Sequence, residues 1–582
     1  MSEARIVRVA GAVAEARPLG GVTLYELARV GAHGLLGEVV RIDGATATLQ
    51  VYEETSGLAL GEPVEPTGTA LTAELGPGLL GSILDGVGRP LSRLADTAGD
   101  FVTPGIAAPT LDPERRWSFE PSVPKGRRVS PGDVLGHVEE RPGFRHSILV
   151  PPTIEGTIAE IEAGSYTVAE PFGRLEDGAP LTLAHHWPVR RPRPHARRLS
   201  SDRPFVTRQR VFDFLFPLAE GGSAAVPGGF GTGKTVIEQS LAKFADADVV
   251  IFVGCGERGN EMADVLNEFP ALKDPRTGQS IMDRTVLIVN TSNMPVAARE
   301  ASIYLGVTIA EYYRDQGCRV ALMVDSTSRW AEALREIGGR LQEMPGEEGF
   351  PTYLASRLGK FYERAGRIQA LGSPERTGAV TIISAVSPAG GDFSEPVTQA
   401  SLRVTGALWA LDASLAHQRH FPAVDWETSY SLYADDAAAW FAENVSEDWT
   451  EARARTLDLL QRERELRDIA GLVGPEALED RDRLLLDAAA LLREVVLRQN
   501  AYHEHDAACS VAKTYRLASL GYAVYEAGLK ALERGVPADR LKWVPARRAL
   551  AALRDAPESE LEARAAEARA AVDAIAPSGG AR

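Results

Sequence analysis

Cysteine is scarce: the 582 residues hold three, Cys255, Cys318 and Cys509, and they lie far apart. That spacing suggests neither a disulfide framework nor a zinc site. The three thiols are expected to be small buried hydrophobes in a reducing compartment. Long apolar runs are missing too. No stretch approaches the roughly eighteen residues that would span a bilayer. The start, Met1-Ser2-Glu3-Ala4-Arg5, leads into no signal-type apolar run. Any membrane role is therefore expected to be indirect, through partners. Basic charge is outweighed: 63 Lys and Arg stand against 80 Asp and Glu, a net charge of −17. A sequence-independent nucleic-acid surface needs the opposite field, although a local basic channel stays open. The length suits about three or four domains, and the composition is that of a soluble globular protein.

Glycine, by contrast, is concentrated where chemistry needs it. Gly228-Gly229-Phe230-Gly231-Thr232-Gly233-Lys234-Thr235 fits the phosphate-binding pattern G-x-x-x-x-G-K-[ST]. A phosphate chain needs many N–H donors close together, with no side chains in the way. Glycine allows that approach and accepts positive φ. The amides then form an anion nest at a helix start, where the helix dipole also favours negative charge. Lys234 can reach the β- and γ-phosphates, and the Thr235 hydroxyl can hold Mg²⁺. Ala224-Ala225-Val226 before the loop reads as a strand end, and Val236 to Lys243 after it as a helix. Strand, loop and helix is the order the motif requires, which weighs against a chance glycine turn.

The rest of the chain divides around this loop. Residues 1–70 hold short apolar runs cut by glycines and predict a β-barrel. Residues 71–112 read as a loop-rich connector, the first part of a nucleotide-binding domain. Residues 113–190 are dense in proline and glycine between strand-like pieces, a β-rich inserted lobe. Within it His185-His186 lacks partners at zinc spacing, so a structural role is expected. Arg190 to Arg198 reads as a basic, proline-rich, solvated linker. Residues 191–434 alternate apolar runs at 249–253, 286–289, 320–324 and 380–386 with helical stretches. That alternation predicts a parallel sheet covered on both faces. Residues 435–582 are rich in Ala, Leu, Glu and Arg, with amphipathic segments at 459–466 and 485–492. They predict a helical domain, whose last helix would run from Glu558 to Ala574 before a frayed Gly/Ser end. The fold class is thus α/β and multidomain.

Two strand ends carry acids. The run Val320 to Val324 leads into Asp325, the place of a Walker B carboxylate that orients the Mg²⁺ shell, though a strand can also end in Asp as a turn residue. The run Val249 to Val253 leads into Gly254-Cys255-Gly256-Glu257-Arg258-Gly259-Asn260-Glu261. Glu257 suits the activation of water at a γ-phosphate, and Arg258 could sit beside the developing charge or hold the loop. An exposed charged turn is the plain alternative. The strand of Glu257 is expected to lie directly beside the P-loop strand.

With these stand Pro227 to Thr235, Gly254 to Met262, Asn290 to Glu300, Asp325 to Ala333 and Ser387 to Pro396. Together they resemble the catalytic A subunit of V-type (archaeal and bacterial A/V-type) rotary ATPases. The likeness covers nearly the whole chain and weakens past about 510. The resemblance implies a β-barrel, a RecA-like P-loop nucleotide domain and a C-terminal helical domain. The segment 113–190 is similar to that family's "non-homologous" insertion. It implies ATP or ADP with Mg²⁺ bound by Gly228 to Thr235, with Lys234, Glu257 and Arg258 catalytic. Thr235 and, through water, Asp325 would hold the metal. Phe421 would pack on adenine and Tyr502 on its other side. Eukaryotic members carry a cysteine where Thr232 stands, so their disulfide regulation is not expected here. The implied partners are a B subunit in an alternating ring of three A and three B chains, supplying an arginine in trans, and a central shaft. A peripheral stalk would dock on 113–190. The chain would sit at the cytoplasmic face of the membrane without entering it, and without nucleic acid. An F-type β or secretion-type hexameric ATPase, a non-catalytic ring subunit, and a RecA-like helicase are the competing readings. The insertion and Gly259-Asn260-Glu261-Met262 argue against the first two, intact Lys234, Thr235 and Glu257 against the third, and the acidic balance against the last.

Overall fold

The computed structural model describes residues 3–99, 105–106, 108–474 and 478–575. The chain forms two compact units, 1–200 with 247–404 and 201–246 with 405–582.

The first unit opens with a six-stranded antiparallel sheet running from Arg5–Ala10 to Val64–Ala70. Arg5 bridges Pro63, and the Val64 amide donates to the Ala4 carbonyl at 2.9 Å, so the first and last strands meet and the sheet closes into a barrel. Closure removes the exposed edges that short strands would otherwise present. Small and branched side chains fill the inside: Ala14, Ala16, Ala28, Ala47, Val39 and Leu49 are each 0 % exposed.

The lobe from Trp117 to Leu181 holds two four-stranded sheets. The chain leaves it through His185–Pro188, which pairs antiparallel with Thr72–Leu75. A buried polar network joins the lobe to the helix Val296–Asp315. The His146 and Glu140 side chains pair at 2.6 Å, both 0 % exposed. His146 Nε2 lies 2.7 Å from the Tyr312 hydroxyl, and Glu140 accepts from the Gly78 and Leu80 amides at 2.7 and 2.9 Å. Each polar atom taken from water has a partner here, which is the condition for burying it cheaply. His185 is half-buried with Arg193 Nη1 at 3.1 Å, and desolvation first, then that positive charge, hold its imidazole well below the usual range.

The core of this unit is a parallel sheet in the order Thr377–Val386, Arg319–Asp325, Val249–Glu257, Thr285–Thr291, Ile83–Leu84. The apolar runs sit in its middle: Val249 to Val253 are each 0 % exposed. Full burial of such a side chain contributes about 1.5–3 kcal/mol. Gly366–Gln369 adds antiparallel to the Thr377–Val386 strand.

Arg190 to Arg198 is the expected solvated linker except at Arg190 and Arg193, which turn inward. The Arg190 guanidinium donates to Glu38 at 2.7 Å and to Glu300 at 3.0 Å. Arg193 is buried and donates to Asp315 at 2.7 Å. Arg191, Pro192, Pro194 and Ala196 to Arg198 are exposed, as a solvated crossing requires. The acids that draw the arginines inward come from a barrel strand and a helix more than a hundred residues away, so no local pattern announces them.

In the second unit, Ser223–Pro227 runs parallel to Ala407–Leu408, which pairs antiparallel with Tyr430–Ser431. Helices Ala438–Asn444, Trp449–Val473, Asp480–Leu491, Val511–Glu533, Trp543–Asp555 and Leu561–Asp573 follow. A 3₁₀ turn, Glu558–Glu560, precedes the last helix, after Pro557. The expected Gly/Ser end lies outside the described residues. Cys255 and Cys509 are buried free thiols, and Cys318 is half-buried.

Candidate active site

In the second unit the strand Ser223–Pro227 enters the glycine loop, and the helix Lys234–Phe244 leaves it. Gly231 and Gly233 take φ of 78° and 91°, which a side chain would strain. A Cβ at Gly228 would meet Thr232 Oγ1 at 2.6 Å and Leu411 Cβ at 2.9 Å. The Thr232 hydroxyl donates to the Gly229 carbonyl at 2.9 Å. Lys234 Nζ donates to the Gly228 and Gly229 carbonyls at 2.7 and 2.9 Å, so the loop is wound around its own lysine. Phe230 is 83 % exposed at the tip.

Phe421 lies beside this helix start: its Cε1 is 3.3 Å from where a Gly233 Cβ would stand. The Phe421 carbonyl accepts from the Gln499 amide at 2.8 Å. The segment after Gln499 carries Tyr502, which is 96 % exposed, its amide bonded to Asn500 Oδ1 at 3.0 Å.

In the first unit two acids stand at neighbouring strand ends. Val249–Glu257 and Arg319–Asp325 are parallel partners, with Gly254 opposite Asp325. Glu257 is 7 % exposed and Asp325 5 %. The Ser326 hydroxyl donates to Glu257 Oε1 at 2.9 Å, and Arg329 Nε lies 3.8 Å from the same oxygen. Burial first, and the Asp325 charge second, push the Glu257 carboxyl up to about 7; Ser326 and Arg329 oppose the shift. A carboxyl near neutral pH can both take and return a proton, the property a general base needs. Arg258 stands at the N-terminal boundary of the helix Gly259–Ala271, without a side-chain capping bond, and is exposed, and Glu261 lies in the first turn of that helix. Cys255, by contrast, is pushed up to about 12 by burial and stays an inert thiol.

One expectation is corrected. The Glu257 strand does not flank the P-loop strand: its two neighbours are Thr285–Thr291 and Arg319–Asp325. Apolar runs tell which segments are strands, and a parallel sheet joined by crossovers need not keep chain order. Ser326 and Arg329 lie in the stretch Asp325 to Ala333 that carries the resemblance, but nothing in that stretch by itself gives either a role; they stand at and just inside the start of the helix Thr327–Arg340.

Comparison with known proteins covers most of the chain. The nucleotide-binding domain of the ATP synthase alpha/beta family matches residues 208–431, and that family's β-barrel domain matches 6–68. The alpha/beta subunit barrel-sandwich domain matches 108–190. The C-terminal domain of V and A type ATP synthase matches 438–541. The V-type ATP synthase alpha chain of Anaeromyxobacter dehalogenans (strain 2CP-C) is 58 % identical over 97 % of each chain. The A subunit of the A-type ATP synthase of Methanopyrus kandleri is 52 % identical over 98 % of this chain and 97 % of its own. That of Thermococcus onnurineus is 53 % identical over 96 % of each. Among solved structures, the assembled ATPase EscN of the enteropathogenic E. coli type III secretion system aligns with a TM-score of 0.63. It is 24 % identical and covers 88 % of this chain and 98 % of its own, a likeness of fold. The full-length identity and the V/A-specific C-terminal domain agree, and the chain belongs to the family of V-type and A-type ATP synthase alpha (A) chains.

Proposed function

We propose that this chain is the catalytic subunit of a V/A-type rotary ATP synthase, hydrolysing or making ATP and coupling it to shaft rotation and transmembrane H⁺ or Na⁺ transport. The observation that carries the catalytic reading is Glu257. It is buried beside Asp325, held by Ser326 and poised near neutral pH, in a chain with an intact P-loop. A non-catalytic ring subunit would have no use for a buried carboxylate kept at that cost. A secretion-type role is disfavoured by the V/A-specific C-terminal domain.

In this reading the amides of Gly228 to Thr235 and the Lys234 ammonium take the phosphates. The Lys234 contacts to its own loop carbonyls are replaced by phosphate oxygens, a stronger, charge-assisted bond. Glu257 orients and deprotonates water, and Arg258 offsets charge at the γ-phosphate. Phe421 gives adenine an apolar face, with Tyr502 closing over it. Mg²⁺ suits the donors present: Thr235 offers a hydroxyl and Asp325 a buried carboxylate, both hard oxygen ligands. The charge with which Asp325 lifts Glu257 is one that a divalent cation would offset. When bound, the ion supplies neutralisation of phosphate charge. The proposed domains are 1–70, 71–112, 113–190, 191–434 and 435–582. B subunits in an A₃B₃ ring, the central shaft, and a peripheral stalk on 113–190 are the proposed partners. Among the described residues no helix is long and apolar enough to cross a membrane, and the proposed place is peripheral, at the cytoplasmic face.

The test is the complex purified from its native membrane, reconstituted in vesicles, with ATP-driven pumping and gradient-driven synthesis measured in H⁺ and in Na⁺. Lys234→Ala should abolish both while the complex still assembles. Persistent pumping in that variant would sink the reading.

A further inference from the structure

Glu257 is held from a second side, by a residue with no role in the reading above. Its backbone carbonyl accepts from the Ser292 amide at 2.8 Å. The Ser292 carbonyl in turn accepts from Arg299 Nη2, in the first turn of the helix Val296–Asp315. The same arginine packs under the residue before the carboxylate. Gly256 takes φ of 71°, and a Cβ there would stand 3.0 Å from Arg299 Cδ and 2.9 Å from Arg329 Cβ. The Arg299 backbone is fixed as well: its carbonyl accepts from Ser302 Oγ at 2.7 Å and faces Cys255 Sγ at 3.5 Å. Arg299 Nε is buried without an acceptor among the described residues. The guanidinium is therefore anchored through its terminal nitrogen and by packing of its stem.

These contacts close a short circuit: Arg299 to Ser292, Ser292 to Glu257, and Gly256 back onto Arg299. The helix carrying Arg299 is almost wholly buried and cannot shift without disturbing the core. We infer that Arg299 is a positioning residue for Glu257, clamping the Gly256–Glu257 turn so that the carboxylate keeps its place for the chemical step. The inference rests on the proposed role of Glu257. Arg299 need touch neither nucleotide nor water. Its loss lets the turn relax, and a displacement of about 1 Å at a reacting group can cost 10²-fold in rate.

The experiment is a double-mutant cycle in the purified complex, reading ATP affinity and single-turnover hydrolysis separately. Arg299→Met keeps the stem and removes the fork. It should slow hydrolysis by roughly 10- to 100-fold, with ATP affinity within about twofold of wild type. Arg299→Lys should recover part of the rate. In the Glu257→Gln background, Arg299→Met should cost nothing further, because the group it positions is already gone. If Arg299→Met does not assemble, Arg299→Gln carries the same expectations. A normal rate in either variant overturns the inference, and so does a full additional loss on top of Glu257→Gln. The two levels separate cleanly. If Glu257→Gln is inert to hydrolysis but Arg299→Met is normal, only the positioning role fails. If Glu257→Gln itself hydrolyses normally, the role of Glu257 fails and the clamp falls with it.

Discussion

The glycine loop and the acid cluster are built in opposite ways. The loop draws its anion nest, lysine and threonine from eight consecutive residues, and its tip is open, with Phe230 83 % exposed. The acid cluster takes Glu257 from one strand and Asp325 and Ser326 from the next, 68 and 69 residues further on, and buries them. A local device is specified by composition and tolerates solvent. A non-local one exists only once two strands are in register, and its properties come from burial. The pKa of Glu257 is the clearest case: nothing in Gly256-Glu257-Arg258 raises a carboxyl, whereas desolvation and Asp325 together bring it to about 7.

The sharpest way to break this comparison is to remove one charge from each region. Glu257→Gln keeps the shape but is a far poorer base, so ATP affinity and assembly should survive while single-turnover hydrolysis falls by roughly 10²–10⁴. Lys234→Ala should lose affinity and turnover together, because its charge meets the phosphates in the ground state too. A Glu257→Gln complex that hydrolyses at the wild-type rate would falsify the division of labour, and Glu261 would be the next carboxylate to try.

Legibility follows the same divide. The P-loop, its flanking strand and helix, and the apolar strands at 249, 286, 320 and 380 are visible in sequence because period and composition are local signals. The order of those strands is not, which is why sequence alone sets the Glu257 strand beside the P-loop strand. Nor are the ion pairs of Arg190 and Arg193, whose acids Glu38, Glu300 and Asp315 arrive from distant elements. Ser326, Arg329 and Arg299 fall in the same class. Each is an ordinary polar residue until strand pairing sets it against Glu257 or its loop.

Two smaller substitutions sharpen the contrast. Phe421→Ala removes the aromatic face next to Gly233 and should weaken ATP binding by about 1–3 kcal/mol, the scale of base–aromatic stacking, with the hydrolysis step unchanged. Unaltered affinity in a titration would mean another side chain holds the base. Ser326→Ala should do the reverse. A hydrogen bond to a charged group is worth about 1.5–3 kcal/mol, so the single-turnover rate should fall by roughly tenfold or more while affinity holds. Equal loss of affinity would place Ser326 on the nucleotide rather than on Glu257.

The smallest effect is also the most specific, because the two regions should answer acid in opposite directions. In the second unit His420, next to Phe421, is buried among Leu415, Trp426, Arg493 and Arg498. Burial first, then the two arginine charges, push its imidazole from 6.5 down to about 4. Between those values the unfolded segment binds a proton that the folded one refuses. The stability His420 contributes is therefore present above pH 6.5 and is lost as pH falls towards 4, at most about 3 kcal/mol. Glu257 runs the other way. Its carboxyl is raised from 4.5 to about 7, so the folded form holds a proton that the unfolded one releases. Its contribution is complete below pH 4.5 and disappears as pH rises through 7. Hydrogen exchange of the nucleotide-free, metal-free protein at pH 7.5 and 5.5 separates the two. On acidification the amides of Gln499 and of Asp412, which donate to the Phe421 and Ala423 carbonyls, should open more readily, and the Ser292 amide that holds the Glu257 carbonyl should be better protected. His420→Gln should flatten the first response alone, and Glu257→Gln the second alone. If both regions moved together in wild type, their protection would be set by one global equilibrium rather than by these two buried groups.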